Sequence, residues 1–180
     1  MGLANLLTAL RLAGAPVLAA ALVHGAPLLA GLVFGLAVAT DLADGRIARR
    51  RGTATPASGF FDHATDAAFV TVGLAACAAQ GLLTGWLPLL VALAFAQYTI
   101  DSRVFRGRPL RASRLGRWNG IAYFVLLGIP VVRDALAIGW PPDAWVAAIA
   151  WGLVATSVTS MLDRARAAWS AQRGSEAAGA

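Results

Sequence analysis

Four aspartates occur in two closely spaced pairs within residues 41–66. Asp41 and Asp44 are three residues apart, and Asp62 and Asp66 are four apart. Residues at these separations lie on one face of an α-helix, so each pair projects from one side of its helix. Four carboxylates in one place repel one another unless a cation shares the site. Oxygen ligands alone favour a hard divalent ion, and four aspartates are sufficient to hold two Mg²⁺ or Mn²⁺ ions.

A simpler interpretation treats the same aspartates as helix caps or as partners of neighbouring arginines. Asp62 lies near the expected start of a helix, where a carboxylate accepts hydrogen bonds from free backbone N–H groups. Asp44 has Arg46 and Arg49 close by in the sequence. Asp66 lies about one turn further into its helix, where neither explanation applies. A shared functional site therefore accounts better for the four residues together.

The composition places these residues in a membrane protein. Of the 180 residues, 58% are apolar and 13% are charged, which is more apolar surface than one soluble core can bury. A helix that crosses a bilayer needs about 20 mainly apolar residues. Six segments approach this length, separated by Gly, Pro or charge: 3–23, 28–48, 59–80, 86–105, 117–137 and 143–162. The prediction is an all-α polytopic membrane protein with six transmembrane helices, one domain over residues 1–166 and a disordered tail over residues 167–180.

The distribution of arginine predicts the orientation of these helices. Three segments rich in arginine, 46–51, 103–117 and 164–173, fall on one side if six spans alternate. Positively charged loops favour the cytoplasmic side, so both termini and the aspartates are expected to face the cytoplasm from the inner membrane. Topology thus explains the net charge of +6, and no nucleic-acid partner is inferred from it.

The stretch from Asp41 to Asp66 resembles the signature of the class I CDP-alcohol phosphatidyltransferases. That signature reads D-x-x-D-G-x-x-A-R, then eight or nine residues, then G-x-x-x-D-x-x-x-D. The matching positions are Asp41, Asp44, Gly45, Ala48, Arg49, Asp62 and Asp66. Ser58 stands where the family has its second glycine, and the glycine is displaced to Gly59. The resemblance extends to the first helix, at Asn5, Thr8, Arg11 and Pro16, and to the six-helix plan.

The resemblance implies an enzyme of phospholipid biosynthesis that transfers a phosphatidyl group from CDP-diacylglycerol to an alcohol and releases CMP. Asp41, Asp44 and Asp62 would then be metal ligands, and Asp66 would be both a ligand and the general base. The residues implied to bind CDP and its phosphates are Asp44, Gly45, Ala48, Arg49, Ser58 and Gly59. A homodimer in the lipid bilayer is implied in the same way.

An arginine-rich loop between the fourth and fifth helices bears on the acceptor alcohol. Arg106, Arg111 and Arg114 are the candidate contacts, because arginine binds phosphate through two parallel hydrogen bonds. Glycerol 3-phosphate is the favoured acceptor, as in a phosphatidylglycerophosphate synthase-like branch of the family. Inositol phosphate, phosphatidylglycerol or another alcohol remain alternatives, and a loop that contacts anionic lipid would explain the same arginines.

Two interpretations from other classes also fit part of the pattern. Intramembrane carboxylates mark ion pathways, so a divalent cation transporter would explain the aspartates. It would not explain Gly45, Ala48 and Arg49 at their spacing. A membrane scaffold with a degenerate site would rest on Ser58, although charges that serve no purpose in a membrane are costly.

Overall fold

Six α-helices and no strand make up the part of the chain that the structure describes. In the computed structural model, this part is residues 3–51, 56–101 and 114–178, with side chains described at 7–43, 59–100, 115–167 and 169. The helices are α1 (Leu3–Val23), α2 (Pro27–Arg51), α3 (Pro56–Ala79), α4 (Trp86–Asp101), α5 (Arg114–Ala135) and α6 (Asp143–Ala178). Their number and order confirm the all-α prediction, since each corresponds to one of the six apolar segments.

The last helix differs from the sequence-based expectation. α6 continues to Ala178, through the region where the sequence predicts a disordered tail. Alanine, arginine, glutamine and glutamate dominate this region, and all four favour helix, so a helix that has already formed continues through it. The domain boundary at residue 166 stays a prediction.

Three short turns join the helices in antiparallel pairs at one end of the bundle. They are residues 24–26, 80–85 and 136–142. Gly25 and Gly81 adopt positive φ angles of 65° and 77° just after α1 and α3. The amide of the following residue then donates to a carbonyl five residues back, as from Ala26 to Ala21 at 2.8 Å. This bond provides a donor for a carbonyl in the last turn of the helix. The aspartate-bearing ends of α2 and α3 therefore lie at the opposite end of the bundle.

The helices pack so that α1, α2 and α3 form one side and α4, α5 and α6 the other. α1 contacts α2 and α3, α2 contacts α5, and α4 contacts both α3 and α6. The rings of Phe34 and Phe69 lie 5.5 and 6.1 Å from the ring of Phe124, which joins α2 and α3 to α5. This aromatic cluster fills the centre of the bundle and fixes α5 against the two helices that carry the aspartates.

Large apolar side chains are exposed on the outside of the bundle, while several polar side chains are buried within its mainly apolar core. Leu28, Leu32 and Leu36 follow one another by four residues along α2 and are 70%, 73% and 53% exposed. Polar side chains are instead buried inside the bundle, namely Thr8, Arg11, Thr40, Thr65, Asn119, Ser157 and Ser160. Exposed apolar surface of this extent is typical of contact with lipid or with another protein.

Within the described residues, two segments are long and apolar enough to cross a membrane. They are Leu115–Ala135 and Asp143–Ala167. The shorter apolar helices are Leu7–Val23, Pro27–Ala43 and Trp86–Ile100. Six membrane crossings and the cytoplasmic location of both termini stay predictions.

Candidate active site

Three of the four predicted aspartates converge where the end of α2 faces the start of α3. Asp41 comes from α2, while Asp62 and Asp66 come from α3, one turn apart on the same face. Each offers a carboxylate oxygen that lies within 4.8 Å of the other two. α2 remains helical past Asp44, whose side chain is outside the described residues. α1 packs against both α2 and α3, which brings carboxylates about 20 residues apart in sequence into one cluster, named here the aspartate cluster (Asp41, Asp62, Asp66).

A buried arginine from α1 contacts all three members of the aspartate cluster. Nη2 of Arg11 lies 3.3 Å from Oδ1 of Asp41, and Nη1 lies 3.2 Å from Oδ1 of Asp62. Nη1 also contacts Oδ1 of Asp66. The arginine side chain is 0% exposed, whereas the carboxylates are 44%, 36% and 27% exposed in that order. The guanidinium therefore closes one side of the cluster, and the carboxylates remain open on the other.

The position of Arg11 follows from the face of α1 that packs into the bundle. Thr8, Arg11, Ala15 and Leu18 are all buried and are separated by three or four residues. This spacing is one helical stripe, so the arginine lies on the packed face. Sequence analysis noted the residue only as part of the first-helix resemblance. Its register with the buried apolar positions is the signal that assigns it to the interior.

A cavity of about 660 Å³ opens beside the aspartate cluster. Asp41 and Asp66 lie on its wall, which is formed by residues of α2 to α6. Most of the lining is apolar, as in known ligand sites. The other polar lining residues are His63, Gln97, Tyr98, Arg117, Asn119, Tyr123, Ser157, Ser160 and Arg164. Carboxylates on the wall of such a cavity can act on a small molecule held inside it.

Comparison with known proteins decides the family. The family described as CDP-alcohol phosphatidyltransferase matches residues 1–159, which include Arg11 and the whole aspartate cluster. The chain belongs to the CDP-alcohol phosphatidyltransferase family. The predictions of family and of an enzyme are thereby confirmed. Members of this family are membrane enzymes that use divalent metals, which agrees with the two apolar helices and the aspartate cluster.

Two curated relatives of this chain come from two strains of Mycobacterium tuberculosis. Each is named a probable phosphatidylglycerophosphate synthase. Each is 31% identical over 137 residues, which are 72% of this chain and 66% of the relative. The match thus spans just under two thirds of the length of these relatives. Their name agrees with the predicted branch, and the acceptor of this chain stays a prediction.

The donor set of the transferase fits a divalent metal ion. Asp41, Asp62 and Asp66 supply only carboxylate oxygens, which hard cations such as Mg²⁺ and Mn²⁺ prefer. The three carboxylates are partly exposed although each contacts the buried Arg11, so a cation can reach them from solvent. The number and identity of the ions stay predictions.

The predicted CDP-binding residues are only partly described. The side chains of Asp44, Ala48, Arg49 and Ser58, and the surroundings of Gly45, lie outside the described residues. Gly59 is half-buried at the start of α3, and a Cβ atom built on it would meet nothing within 4 Å. The backbone there has open space beside it, as close approach of a ligand requires.

Two arginines of the described residues, Arg117 and Arg164, line the cavity. Of the arginines predicted for the acceptor, Arg106 and Arg111 lie outside the described residues, and Arg114 is described only as the first residue of α5. Their role stays a prediction. The guanidinium carbon of Arg164 lies 5.1 Å from the centre of the Tyr98 ring, a cation–π contact that orients it.

Arg164 could have been selected from its helical register. Arg164 follows the buried Ser157 by seven residues and Ser160 by four, so the three share one face of α6. The density of arginines in the loop, on which the prediction rests, does not reveal the direction of a side chain.

Proposed function

We propose that this chain transfers a phosphatidyl group from CDP-diacylglycerol to glycerol 3-phosphate and releases CMP. The observation that carries the proposal is the aspartate cluster, two members of which, Asp41 and Asp66, lie on the wall of a cavity that Arg117 and Arg164 also line. Carboxylates bind the metal ions that phosphoryl transfer requires, and arginines bind a phosphorylated acceptor. The name of the two mycobacterial relatives supports the same branch.

The aspartates would hold the metal and move one proton. Asp41, Asp44, Asp62 and Asp66 are the proposed ligands of two Mg²⁺ or Mn²⁺ ions. When bound, these ions would offset the negative charge of the donor diphosphate and of the departing CMP. Asp66 is the proposed general base, because it lies on the cavity wall, where it can meet an acceptor hydroxyl.

The reaction forms one phosphorus–oxygen bond and breaks another. The acceptor oxygen bonds to the phosphatidyl phosphorus, and the bond from that phosphorus to CMP breaks. The hydroxyl proton passes to Asp66, and the electron pair of the broken bond leaves with CMP. The residues proposed to hold the donor phosphates are Asp44, Gly45, Ala48, Arg49, Ser58 and Gly59.

The bilayer is the proposed environment of the whole chain. The exposed leucines of α2 and the buried polar residues support six crossings of the inner membrane. The arginine-rich segments support cytoplasmic termini and an active site that opens to the cytoplasm. A homodimer is proposed from the family resemblance.

The test of this function is acceptor-dependent release of CMP. Purified protein in detergent is supplied with CDP-diacylglycerol, Mg²⁺ or Mn²⁺, and in turn glycerol 3-phosphate, inositol phosphate, inositol, serine and phosphatidylglycerol. We expect release with glycerol 3-phosphate only, and none after EDTA treatment. Release with another acceptor would reassign the branch. Uptake of Mn²⁺ into proteoliposomes, with no CMP release under any condition, would favour a divalent cation transporter instead.

Arg164 is expected to control affinity for the phosphorylated acceptor. Its replacement, Arg164→Gln, removes a charged hydrogen-bond donor from the cavity and should raise the KM for glycerol 3-phosphate by about 10-fold to 100-fold. The KM for CDP-diacylglycerol should stay unchanged. Initial rates of CMP release at varied acceptor concentration measure both values.

Arg166→Gln is the matched control for this variant. Arg166 lies on the same helix but does not line the cavity. We expect it to have the KM of the wild type. An equal rise in the KM for glycerol 3-phosphate in the two variants, or an unchanged KM in Arg164→Gln, would show that Arg164 does not bind the acceptor.

A further inference from the structure

The arginine that α6 contributes to the cavity wall lies against an aromatic ring of α4. The guanidinium carbon of Arg164 is 5.1 Å from the centre of the Tyr98 ring, and both residues line the cavity. A cation within about 6 Å of a ring centre is attracted by the negative face of the ring. Within the described residues, no carboxylate forms an ion pair with Arg164. The ring of Tyr98 is therefore an attractive contact that holds this cation without neutralising it.

The ring of Tyr98 is itself held by neighbouring helices. His63 from α3 meets it edge to face, with the ring centres 6.4 Å apart and the ring planes at 82°. Gln97, the residue before Tyr98, donates from Nε2 to the carbonyl of Met161 at 3.0 Å. Met161 lies one turn before Arg164, so this bond fixes α4 against α6 beside the cation–π contact.

An aromatic partner leaves Arg164 able to bind an anion. A carboxylate would neutralise the guanidinium and accept its N–H groups, whereas the face of a ring has no oxygen that could do so. The five N–H donors of the guanidinium thus remain available to a phosphate. A mobile arginine must also give up the rotational freedom of its side chain when it binds a ligand, and one that is already held gives up less. The ring therefore favours phosphate binding by orienting the cation in advance.

We propose that Tyr98 is a positioning residue for the phosphorylated acceptor, which acts by holding Arg164 at the cavity wall. The ligand class is the phosphate group of a small phosphorylated alcohol. Tyr98 contributes the face of its ring to this role, and its hydroxyl does not take part. This inference rests on the proposed function, in which Arg164 binds the acceptor phosphate. It adds α4 to the helices that form the acceptor site.

The replacement Tyr98→Leu should weaken acceptor binding and leave the chemical step unchanged. It keeps an apolar side chain but removes the ring face, so we expect the KM for glycerol 3-phosphate to rise by about 3-fold to 10-fold. The kcat and the KM for CDP-diacylglycerol should stay within about 2-fold of the wild type, because a contact present before and during the reaction affects binding alone. Tyr98→Phe keeps the ring face and should keep the KM for glycerol 3-phosphate within about 2-fold. Initial rates of CMP release by the full-length protein measure these values.

A series of fluorinated rings tests the cation–π contact at nearly constant shape. Tyr98 is replaced in turn by phenylalanine, by a ring-fluorinated monofluorophenylalanine and by a trifluorophenylalanine. Each fluorine withdraws electrons from the ring face and weakens its attraction for a cation. We expect the KM for glycerol 3-phosphate to rise stepwise with the number of fluorines, by about 3-fold or more for the trifluoro ring, at unchanged kcat. A KM that does not depend on fluorination would overturn the proposal, even if Tyr98→Leu does not fold.

Combination with Arg164→Gln shows whether Tyr98 acts through the arginine. In that background, Tyr98→Leu should raise the KM for glycerol 3-phosphate by less than about 2-fold, because no cation is left to orient. Effects of the two replacements that multiply would mean that Tyr98 acts independently of Arg164, and would overturn the proposal. Trp86→Leu is the matched control, since Trp86 is an exposed aromatic residue at the other end of α4 and outside the cavity lining. We expect it to have the KM of the wild type.

The outcomes separate this inference from the function on which it rests. A wild type that uses glycerol 3-phosphate, together with an unchanged KM in Tyr98→Leu, would overturn the inference and leave the transferase intact. An equal rise in KM in Tyr98→Phe and Tyr98→Leu would do the same, because the hydroxyl would then be the group that acts. Release of CMP with unphosphorylated acceptors alone, or with no acceptor at all, would overturn both the inference and the proposed acceptor.

Discussion

The replacement Asp66→Asn should lower acceptor-dependent CMP release by about 1,000-fold or more. An amide keeps the shape of the side chain but cannot take up the proton of the acceptor hydroxyl, and loss of a general base alone costs about 100-fold to 10,000-fold in rate. It also removes one negative charge from the aspartate cluster, which weakens the hold on the metal. The measurement is CMP released per minute from CDP-diacylglycerol and glycerol 3-phosphate with saturating Mn²⁺.

Asp163→Asn is the control for this experiment. Asp163 is an exposed residue of α6 that lies outside the cavity lining, so the same chemical change there should leave the rate within about 2-fold of the wild type. A rate for Asp66→Asn that approaches the wild type at high Mn²⁺ would mean that Asp66 is only a metal ligand. The general base would then have to be sought among the other polar residues of the cavity.

Much of the fold could be predicted from the sequence because each helix is bounded by strong local signals. Pro27 and Pro56 open α2 and α3, where the missing N–H of proline costs nothing, and Gly25 closes the turn before α2. The four aspartates were predicted to share one site, and three of them are seen together.

The rest of the site could not be predicted because it depends on which helix faces cross. Arg11 is 51 residues away from Asp62 in sequence, and their contact exists only because α1 packs against α3. The cavity likewise needs residues of α2 to α6 at once, and no local pattern specifies where five helices leave a space.

The contact of Arg11 with the aspartate cluster has an energetic consequence that can be measured. Removing one partner of a buried ion pair costs about 3 to 5 kcal/mol, because the remaining charges lose their compensation. Arg11→Met keeps much of the volume of the side chain and removes its charge. It should therefore lower the thermal unfolding temperature of the protein in detergent and EDTA well below that of the wild type.

A metal ion should restore much of this lost stability. Asp41, Asp62 and Asp66 repel one another once the guanidinium is gone, and a divalent cation at the same oxygens replaces its charge. We therefore expect Mn²⁺ to raise the unfolding temperature of Arg11→Met more than that of the wild type. The unfolding temperature of Arg11→Lys should lie between those of the wild type and Arg11→Met. Lysine keeps the charge but cannot contact three carboxylates with one planar group.

Arg133→Met is the control for the unfolding temperatures of the Arg11 variants. Arg133 pairs with Asp134 and Asp143, which are 51% and 69% exposed, at the opposite end of the bundle from the aspartate cluster. Pairs with exposed carboxylates are worth about 1 kcal/mol or less, so this variant should unfold close to the wild type and should respond to Mn²⁺ as the wild type does. Equal unfolding temperatures for Arg11→Met and Arg133→Met in EDTA would contradict the assignment of Arg11 as the counter-charge of the cluster. If the unfolding temperature of Arg11→Met falls greatly and Mn²⁺ does not restore it, Arg11 supports the packing of α1 and its charge has little effect.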